Sequence, residues 1–91
     1  MTRVVHKYEM PVPGCALHYD IPAIHKPLSV QMQGEKIMLW CEVTLFGQET
    51  KETRVDFWTV PTGQPIPPTG EWMGTVQDGP YVWHVYGRTQ K

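Results

Sequence analysis

The chain has 91 residues and a balanced charge, with eight Lys and Arg residues against nine Asp and Glu residues. This length suits a single domain. Because there is no basic run, the sequence lacks the usual electrostatic pattern of a protein that binds duplex nucleic acid. Apolar residues make up 41% of the chain, which argues against wholesale disorder. Four Trp and four Tyr are many large rings for so short a chain, and such residues favour strands.

The sequence contains no apolar run long enough to span a membrane, and its first residues lack a signal-peptide core. We therefore expect a cytoplasmic protein with no membrane partner. Cys15 and Cys41 fit this expectation, because a small secreted scaffold usually carries more cysteines in a disulfide framework. Two reduced, partly buried thiols are favoured over a disulfide between them.

Residues 3–10 predict the first strand, because apolar and charged side chains alternate there. Residues 11–14, with the sequence PVPG, end that strand at a sharp turn. Residues 15–27 are ambiguous. Pro22 and Pro27 argue against a long regular element in this segment, which leaves room for a short edge strand only.

Residues 28–43 predict a hairpin with a two-residue turn at Gly34-Glu35, where glycine comes first as in a type II′ turn. A one-residue slip would move the apolar set of one strand to the other face, so the pattern selects a single register. That register pairs apolar residues throughout: Met32 with Ile37, Val30 with Leu39, and Leu28 with Cys41.

Residues 53–60 predict a further strand, and residues 61–70 hold four Pro and two Gly, which is typical of a stiff surface loop. A second hairpin is predicted over residues 72–86, with a four-residue loop around Asp78-Gly79. Its expected register places Val76 opposite Tyr81, Gly74 opposite Trp83, and Trp72 opposite Val85. The polar tail over residues 87–91 is expected to fray.

No stretch shows sustained helical periodicity, and neither an internal repeat nor a second domain is visible. The sequence therefore predicts one all-β domain over residues 1–91. A small antiparallel sandwich and a partly open barrel of five to six strands both fit the pattern, and the two alternatives stay open at this point.

Four segments carry a resemblance to a known group of proteins: KYEMPVPG at residues 7–14, QGEKIMLWCEV at residues 33–43, TGQPIP at residues 62–67, and GTVQDGPYVWHVYG at residues 74–87. With these segments the chain resembles a family of small uncharacterised proteins encoded by phages and prophage-bearing bacteria. The resemblance implies a phage-associated protein of the host cell cytoplasm, and it implies no activity.

Catalytic and metal-binding arrangements are weakly supported. The potential metal ligands show none of the spacings that identify a structural zinc site; these ligands are His6, His18, His25, His84, Cys15 and Cys41. Cys15 and His18 could pair as nucleophile and base, but no oxyanion hole or third orienting residue is indicated. We therefore predict no enzyme, no metal and no cofactor. A small metal-dependent or cysteine hydrolase is the least favoured interpretation.

Single-stranded nucleic acid is the alternative ligand. Tyr81, Trp83 and Tyr86 could form a stacking platform on a small barrel. Such platforms also need cations that contact the phosphates, and only Arg88 and Lys91 are near in sequence. Nucleic acid is therefore a less favoured partner than protein.

Protein recognition is the favoured function, because these aromatic residues exceed what one thin core can hide, and exposed Trp and Tyr are typical of binding hot spots. The candidate contact residues are Trp40, Trp58, Trp72, Tyr81, Trp83, His84 and Tyr86. A second possibility is that residues 61–70 or the N-terminal segment cover the extra rings. The expected partner is a host or phage protein, and free strand edges also allow a homodimer.

Overall fold

The computed structural model describes residues 1–90, in which seven strands and one short 3-10 turn form an all-β domain. The strands are β1 (Thr2–Glu9), β2 (Ala16–Pro22), β3 (His25–Gln33), β4 (Lys36–Leu45), β5 (Glu52–Pro61), β6 (Glu71–Asp78) and β7 (Tyr81–Thr89), and the turn is Gly47–Glu49. The predicted all-β class is confirmed. The predicted count of five to six strands is too low for the described residues, because the segment that contains Pro22 forms a complete strand.

Two antiparallel sheets make up the domain, with strand orders β1-β4-β3 and β2-β5-β7-β6. Along one side of the molecule β3 packs against β6. Along the other side the rings of Tyr8 in β1 and Tyr19 in β2 lie 5.3 Å apart, without a strand ladder between the sheets. The fold is therefore sandwich-like and is not closed into a barrel.

The prolines of the ambiguous segment lie on edge strands. Pro22 is the last residue of β2, and Pro27 lies within β3, next to a register shift. An edge strand tolerates proline because the missing N–H would face away from the neighbouring strand. The expected edge strand is therefore confirmed as β2, which ends at Pro22, whereas Pro27 lies inside β3 and does not exclude a regular element there.

The core lies between the sheets and is built by alternation along the central strands. Its buried residues are Met10, Ile21, Val30, Ile37, Leu39, Val55, Phe57, Val76 and Val85. Gly74 allows the sheets to approach, because a Cβ at that position would lie 2.5 Å from Cγ2 of Val30. Distances this short do not occur between real side chains, so β6 packs on β3 here only without a side chain.

The register of the first hairpin is confirmed near its turn, where Met32 pairs with Ile37 and Val30 pairs with Leu39. The predicted pairing of Leu28 with Cys41 is wrong. A bulge inserts Leu28 as an extra residue, so that Pro27 takes the position opposite Cys41. Leu28 is consequently exposed.

The second hairpin has a different register from the predicted one. Asp78 pairs with Tyr81, Val76 with Trp83, Gly74 with Val85, and Trp72 with Tyr86. The loop consists of Gly79 and Pro80 alone, and Gly79 has a φ of 58°. Inside a two-residue loop Pro80 does not need to donate a ladder bond, so the four-residue loop that we expected is unnecessary.

The predicted frayed tail is also wrong over residues 87–89, which belong to β7. There Gly87 pairs with Phe57, and Arg88 pairs with Asp56 on β5. The backbone N–H of Gln90 also donates to the carbonyl of Arg54. Strand β5 therefore supplies backbone partners for residues 87–90. Lys91 lies outside the described residues. No helix within residues 1–90 is long and apolar enough to cross a membrane.

Candidate functional site

The outer face of the four-stranded sheet carries a row of aromatic residues. Trp58 on β5 and Trp72 on β6 both lie directly opposite Tyr86 on the central strand β7. His84 and Arg88 flank Tyr86 on the same side of β7, because alternate residues of a strand share a face. We call this surface the aromatic face and define it by Asp56, Trp58, Trp72, His84, Tyr86 and Arg88.

A bulge in β6 directs Trp72 to the aromatic face. The register shifts between Trp72 and Gly74, so that Met73 is the extra residue. In a regular strand Trp72 would share the face of Gly74, which meets Val30 in the core. With the bulge, Trp72 instead shares the face of Thr75, and its indole Nε1 donates to Thr75 Oγ1 over 2.9 Å.

His84 connects two threonine hydroxyls on this face. Thr75 Oγ1 lies 3.0 Å from His84 Nδ1, and Thr62 Oγ1 lies 2.8 Å from His84 Nε2. The hydroxyl of Thr62 also donates to the carbonyl of Val82. Each hydroxyl has one proton to donate. The hydroxyl of Thr62 donates its proton to Val82, so it accepts from Nε2 of His84, which carries the imidazole proton. Nδ1 of His84 then accepts from the hydroxyl of Thr75. Thr75 therefore links the indole of Trp72 to the imidazole of His84 by hydrogen bonds.

Arg88 organises the other end of the aromatic face. Its guanidinium lies 5.6 Å from the ring centre of Trp58, donates to Thr69 Oγ1 over 2.9 Å, and donates to Asp56 Oδ2 over 3.3 Å. The amide of Gln90, followed by the guanidinium groups of Arg54 and Arg88, holds the pKa of Asp56 below its usual value. A cation over an aromatic ring is attracted to the ring's negative face, so this arrangement fixes the position of Trp58.

The Pro-rich loop over residues 62–70 lies across part of the aromatic face. A Cβ on Gly70 would touch both Pro67 and Tyr86 at 3.3 Å. Between the loop, Trp58 and the turn at Gly14 there is a largely apolar groove of about 480 Å³. The loop leaves Trp58 and Tyr86 half-buried. Trp72, in contrast, is 62% exposed.

The second possibility, that other segments shield the extra rings, applies to Trp58 and Tyr86, which are half-buried beside the Pro-rich loop, and it does not apply to Trp72 and Tyr81, which stay exposed.

Residues 1–91 match the model of a family described as a domain of unknown function, DUF7352. The chain belongs to this family. The resemblance to a family of uncharacterised proteins is confirmed in that form. The comparisons with curated proteins and with solved structures gave no match.

Of the seven predicted contact residues, the DUF7352 fold brings four together on the aromatic face: Trp58, Trp72, His84 and Tyr86. Tyr81 and Trp83 lie on the opposite face of β7, where their rings stack at a centroid distance of 5.3 Å and an interplanar angle of 10°. Trp83 packs against the core, and its Nε1 donates to Asp78 Oδ2. Tyr81, at the end of the strand, is 59% exposed.

Trp40 stands apart from the other candidates. It lies on β4 in the three-stranded sheet, between Lys7 of β1 and Ser29 of β3. It alternates with Leu39 and Cys41, which are buried, so its ring is on the outer side of that sheet. Neighbouring side chains leave it half-buried.

The two cysteines are the thiols that could act as a nucleophile or as metal ligands, and they differ in exposure. Cys15 and Cys41 are both free; Cys15 is exposed and Cys41 is buried. Burial raises the pKa of the Cys41 thiol, which opposes formation of a nucleophilic thiolate. Within residues 1–90, no group of three or more His, Cys, Asp and Glu side chains is placed to hold a metal ion.

A second cavity, of about 490 Å³, lies at the open side of the sandwich and is lined in part by His6, Tyr8, Asp20 and Glu52. His6 Nδ1 is 3.2 Å from the hydroxyl of Tyr8. Burial raises the pKa of Tyr8, and the nearby Cys41 and Glu52 raise it further. The phenol of Tyr8 is therefore held in its protonated form.

Sequence reasoning missed the polar residues that fix the aromatic face. Arg88 was assigned to a frayed tail, and Asp56, whose side chain is only 13% exposed, was given no role. The missed signal is the alternation of His84, Tyr86 and Arg88, which extends the strand by one more outward-facing residue. The role of Thr75 depends on the bulge, which leaves no signal in the sequence.

Proposed function

We propose that this chain is a non-enzymatic protein that acts through protein–protein contact, and that the aromatic face is its contact surface. The observation that carries this proposal is the exposure of Trp72, a large apolar side chain that is 62% exposed while its indole is held by Thr75. Tryptophan, tyrosine and arginine are the residues most enriched in binding hot spots, and all three are present on this face.

The fixed positions of the side chains on the aromatic face support the proposal. A contact surface binds more tightly when its side chains lose little freedom on association. Trp72 is held through Thr75, and Arg88 is held by Asp56 and Thr69. A partner would therefore meet side chains that are already in place, and the bonds that hold them lie within one chain.

The shape of the surface supports the proposal as well. The groove beside Trp58 is lined mainly by apolar groups from the Pro-rich loop, including Pro65 and Ile66. Ile66 is 54% exposed, so the apolar surface continues onto the loop. A groove beside the half-buried ring of Trp58 suits a partner that inserts an apolar side chain there.

The biological setting of the proposal comes from the resemblance to phage and prophage proteins, carried by residues 74–87 and the three shorter segments. We infer that the partner is a protein of the bacterial host or of the phage, met in the host cytoplasm, and that binding inhibits or redirects a host protein. A fold alone does not identify such a partner, so this part of the proposal rests on the resemblance.

Binding of single-stranded nucleic acid is the second candidate, and the stacked rings of Tyr81 and Trp83 favour it as a platform for bases. Against it, Arg54 and Arg88 both bond to Asp56, which leaves little positive charge for phosphates. A titration with single-stranded DNA and RNA at two salt concentrations separates the candidates. Salt-sensitive binding that Tyr81→Ala abolishes and Trp72→Ala retains would favour nucleic acid.

The experiment that tests the proposed function is capture of a partner from a bacterial lysate by the immobilised chain and by two variants. Trp72→Ala removes the exposed ring of the aromatic face, and Tyr81→Ala removes a ring of similar exposure, 59%, on the opposite face. We expect a protein that the wild type and Tyr81→Ala retain and that Trp72→Ala loses, with unchanged circular dichroism. Equal retention by both variants, or no retention by the wild type, would contradict the proposal.

A further inference from the structure

Strand β1 is an edge strand whose protection against pairing consists of charged side chains alone, those of Arg3, Lys7 and Glu9. It lies at the end of the three-stranded sheet, pairs with β4 over its whole length without a register shift, and contains neither Pro nor Gly. The other edges differ: β2 ends at Pro22, β3 carries the Leu28 bulge, and β6 carries the Met73 bulge. Prolines and bulges are devices that block pairing between edges, so β1 is the strand best suited to accept another.

The hydrogen bonds next to β1 establish which of its backbone groups face outward. The N–H of Met10 donates to the carbonyl of Ile37 over 2.8 Å, so the even-numbered residues carry the bonds to β4, because bonded and unbonded pairs alternate in antiparallel sheets. The odd-numbered residues, from Arg3 to Glu9, therefore direct their N–H and C=O groups to the free edge. The hydroxyl of Tyr19 donates to the carbonyl of Glu9, as this direction requires.

These outward groups are largely unpaired in a single chain. Within residues 1–90, the backbone of residues 3–7 makes no hydrogen bond outside the ladder with β4. The side chain of Val5, in the middle of the edge strand, is 57% exposed. An unpaired row of this kind is a template for another strand.

We propose that β1 pairs in antiparallel fashion with β1 of a second copy of this chain, about a two-fold axis at His6. In this register Arg3 lies opposite Glu9 of the second copy, and Val5 lies opposite Lys7 of the second copy. Every outward-facing residue from Arg3 to Glu9 then meets another outward-facing residue. The carbonyl of Glu9 already accepts from the hydroxyl of Tyr19, and its second lone pair is the acceptor for the N–H of Arg3 of the second copy. The two Arg–Glu pairs across the axis join opposite charges, which stabilises cross-strand neighbours. Within one chain Arg3 lies 3.8 Å from Glu42 and Glu9 lies 3.5 Å from Lys36, so the cross-strand pairs add to ion pairs that already exist.

The pattern of charges selects this register over the adjacent one. Shifting the axis to Val5 would pair Arg3 with Lys7 twice, and like charges that lie directly opposite each other destabilise a sheet. It would also leave Glu9 without a partner strand. The pairing is isologous, with the same strand contributed by each copy, and it joins two three-stranded sheets into one continuous sheet.

The dimer does not depend on the proposed contact surface, because β1 belongs to the three-stranded sheet, whereas the aromatic face belongs to the four-stranded one. One strand from each copy makes a small interface, so we expect a reversible dimer of micromolar affinity rather than a permanent one. Each dimer would present two aromatic faces.

The first test is sedimentation or light scattering of the full 91-residue chain over a micromolar to millimolar concentration series, with two variants at one position. Val5→Pro removes an outward N–H but no bond to β4, so the monomer should fold while the dimer is lost. Val5→Ala shortens the same side chain and keeps the N–H, so the dimer should persist. A monomeric wild type, or a Val5→Pro variant that still dimerises, would overturn the proposal.

The second test removes the proposed charge pairs without adding repulsion to Glu42 and Lys36, the partners of Arg3 and Glu9 within one chain. Arg3→Gln and Glu9→Gln should each weaken the dimer several-fold, and the double variant should be no weaker than either single variant, because both changes remove the same pairs. Additive losses in the double variant, with all variants folded, would overturn this register.

Discussion

The indole Nε1 of Trp72 donates a hydrogen bond to Oγ1 of Thr75 on the same face of β6, although the two residues are three positions apart. In a regular strand such a spacing places side chains on opposite faces. The bulge at Met73 removes this conflict, and it turns a tryptophan that would enter the core toward solvent. The exposure of Trp72 is therefore built into the backbone of the strand.

We predict that Thr75→Val will free the ring of Trp72 without unfolding the domain, because it replaces one exposed hydroxyl, which accepts from the indole and also bonds His84. The measurement is the exchange rate of the Trp72 indole N–H by nuclear magnetic resonance. A bond worth about 1 kcal/mol corresponds to exchange that is roughly fivefold faster. Thr75→Ser, which keeps a hydroxyl, should exchange at nearly the wild-type rate, and equal acceleration in both variants would argue against the bond.

We predict that Gly74→Ala will destabilise the domain by about 1 to 3 kcal/mol, because the added methyl overlaps Val30 on β3. Chemical denaturation measures the free energy of unfolding. Val30→Ala removes Cγ2, the atom with the larger overlap, and keeps Cβ at 2.9 Å, so it should reduce but not abolish the cost of the Gly74 substitution when the two are combined, which is a coupling between contacting residues. Strictly additive effects would show that the close approach of β3 and β6 does not limit position 74.

The sequence predicted much of this fold and less of the site. The turn at Gly34 and the apolar pairs beside it follow from alternation and turn chemistry, and the structure confirms them. Both bulges, at Leu28 and Met73, escaped prediction because inserting one residue leaves no periodic signal. The position of Trp72 depends on the second bulge, so local pattern alone did not assign its face.

We predict that Asp56→Asn will lower the melting temperature at neutral pH and have little effect in acid. The pKa of Asp56 is lowered in the folded state, first by the amide of Gln90 and then by its arginine partners. A lowered pKa means that the ionised carboxylate stabilises the folded state above the ordinary value of about 4, and that this contribution is lost as the pH falls through the lowered value.

Melting curves of the wild type and of Asp56→Asn between pH 7 and pH 2 check this prediction. The difference in melting temperature between the two proteins should be largest near pH 7, and it should disappear as the carboxylate of Asp56 takes up a proton. A difference that stays constant across the whole range would contradict the assigned cause of the pKa shift.

We predict that Arg88→Ala will release the Pro-rich loop from the sheet, because Arg88 bonds Thr69 and lies over Trp58. Amide hydrogen exchange within residues 62–70 should become about tenfold faster, equivalent to about 1.4 kcal/mol of local stability. Arg88→Lys keeps the charge but loses the planar fork, so it should give an intermediate rate. Unchanged exchange in Arg88→Ala would show that the loop is held by other contacts.

The most direct test of the aromatic face as a contact surface is the affinity of the purified chain for the captured partner, measured by titration calorimetry. We predict that Trp72→Ala weakens binding by at least about 30-fold, the effect of a hot spot worth about 2 kcal/mol, and that Tyr81→Ala stays within about twofold of the wild type. Trp72→Ala binding with wild-type affinity, while Tyr81→Ala is impaired, would contradict the account and place the contact on the opposite face of β7.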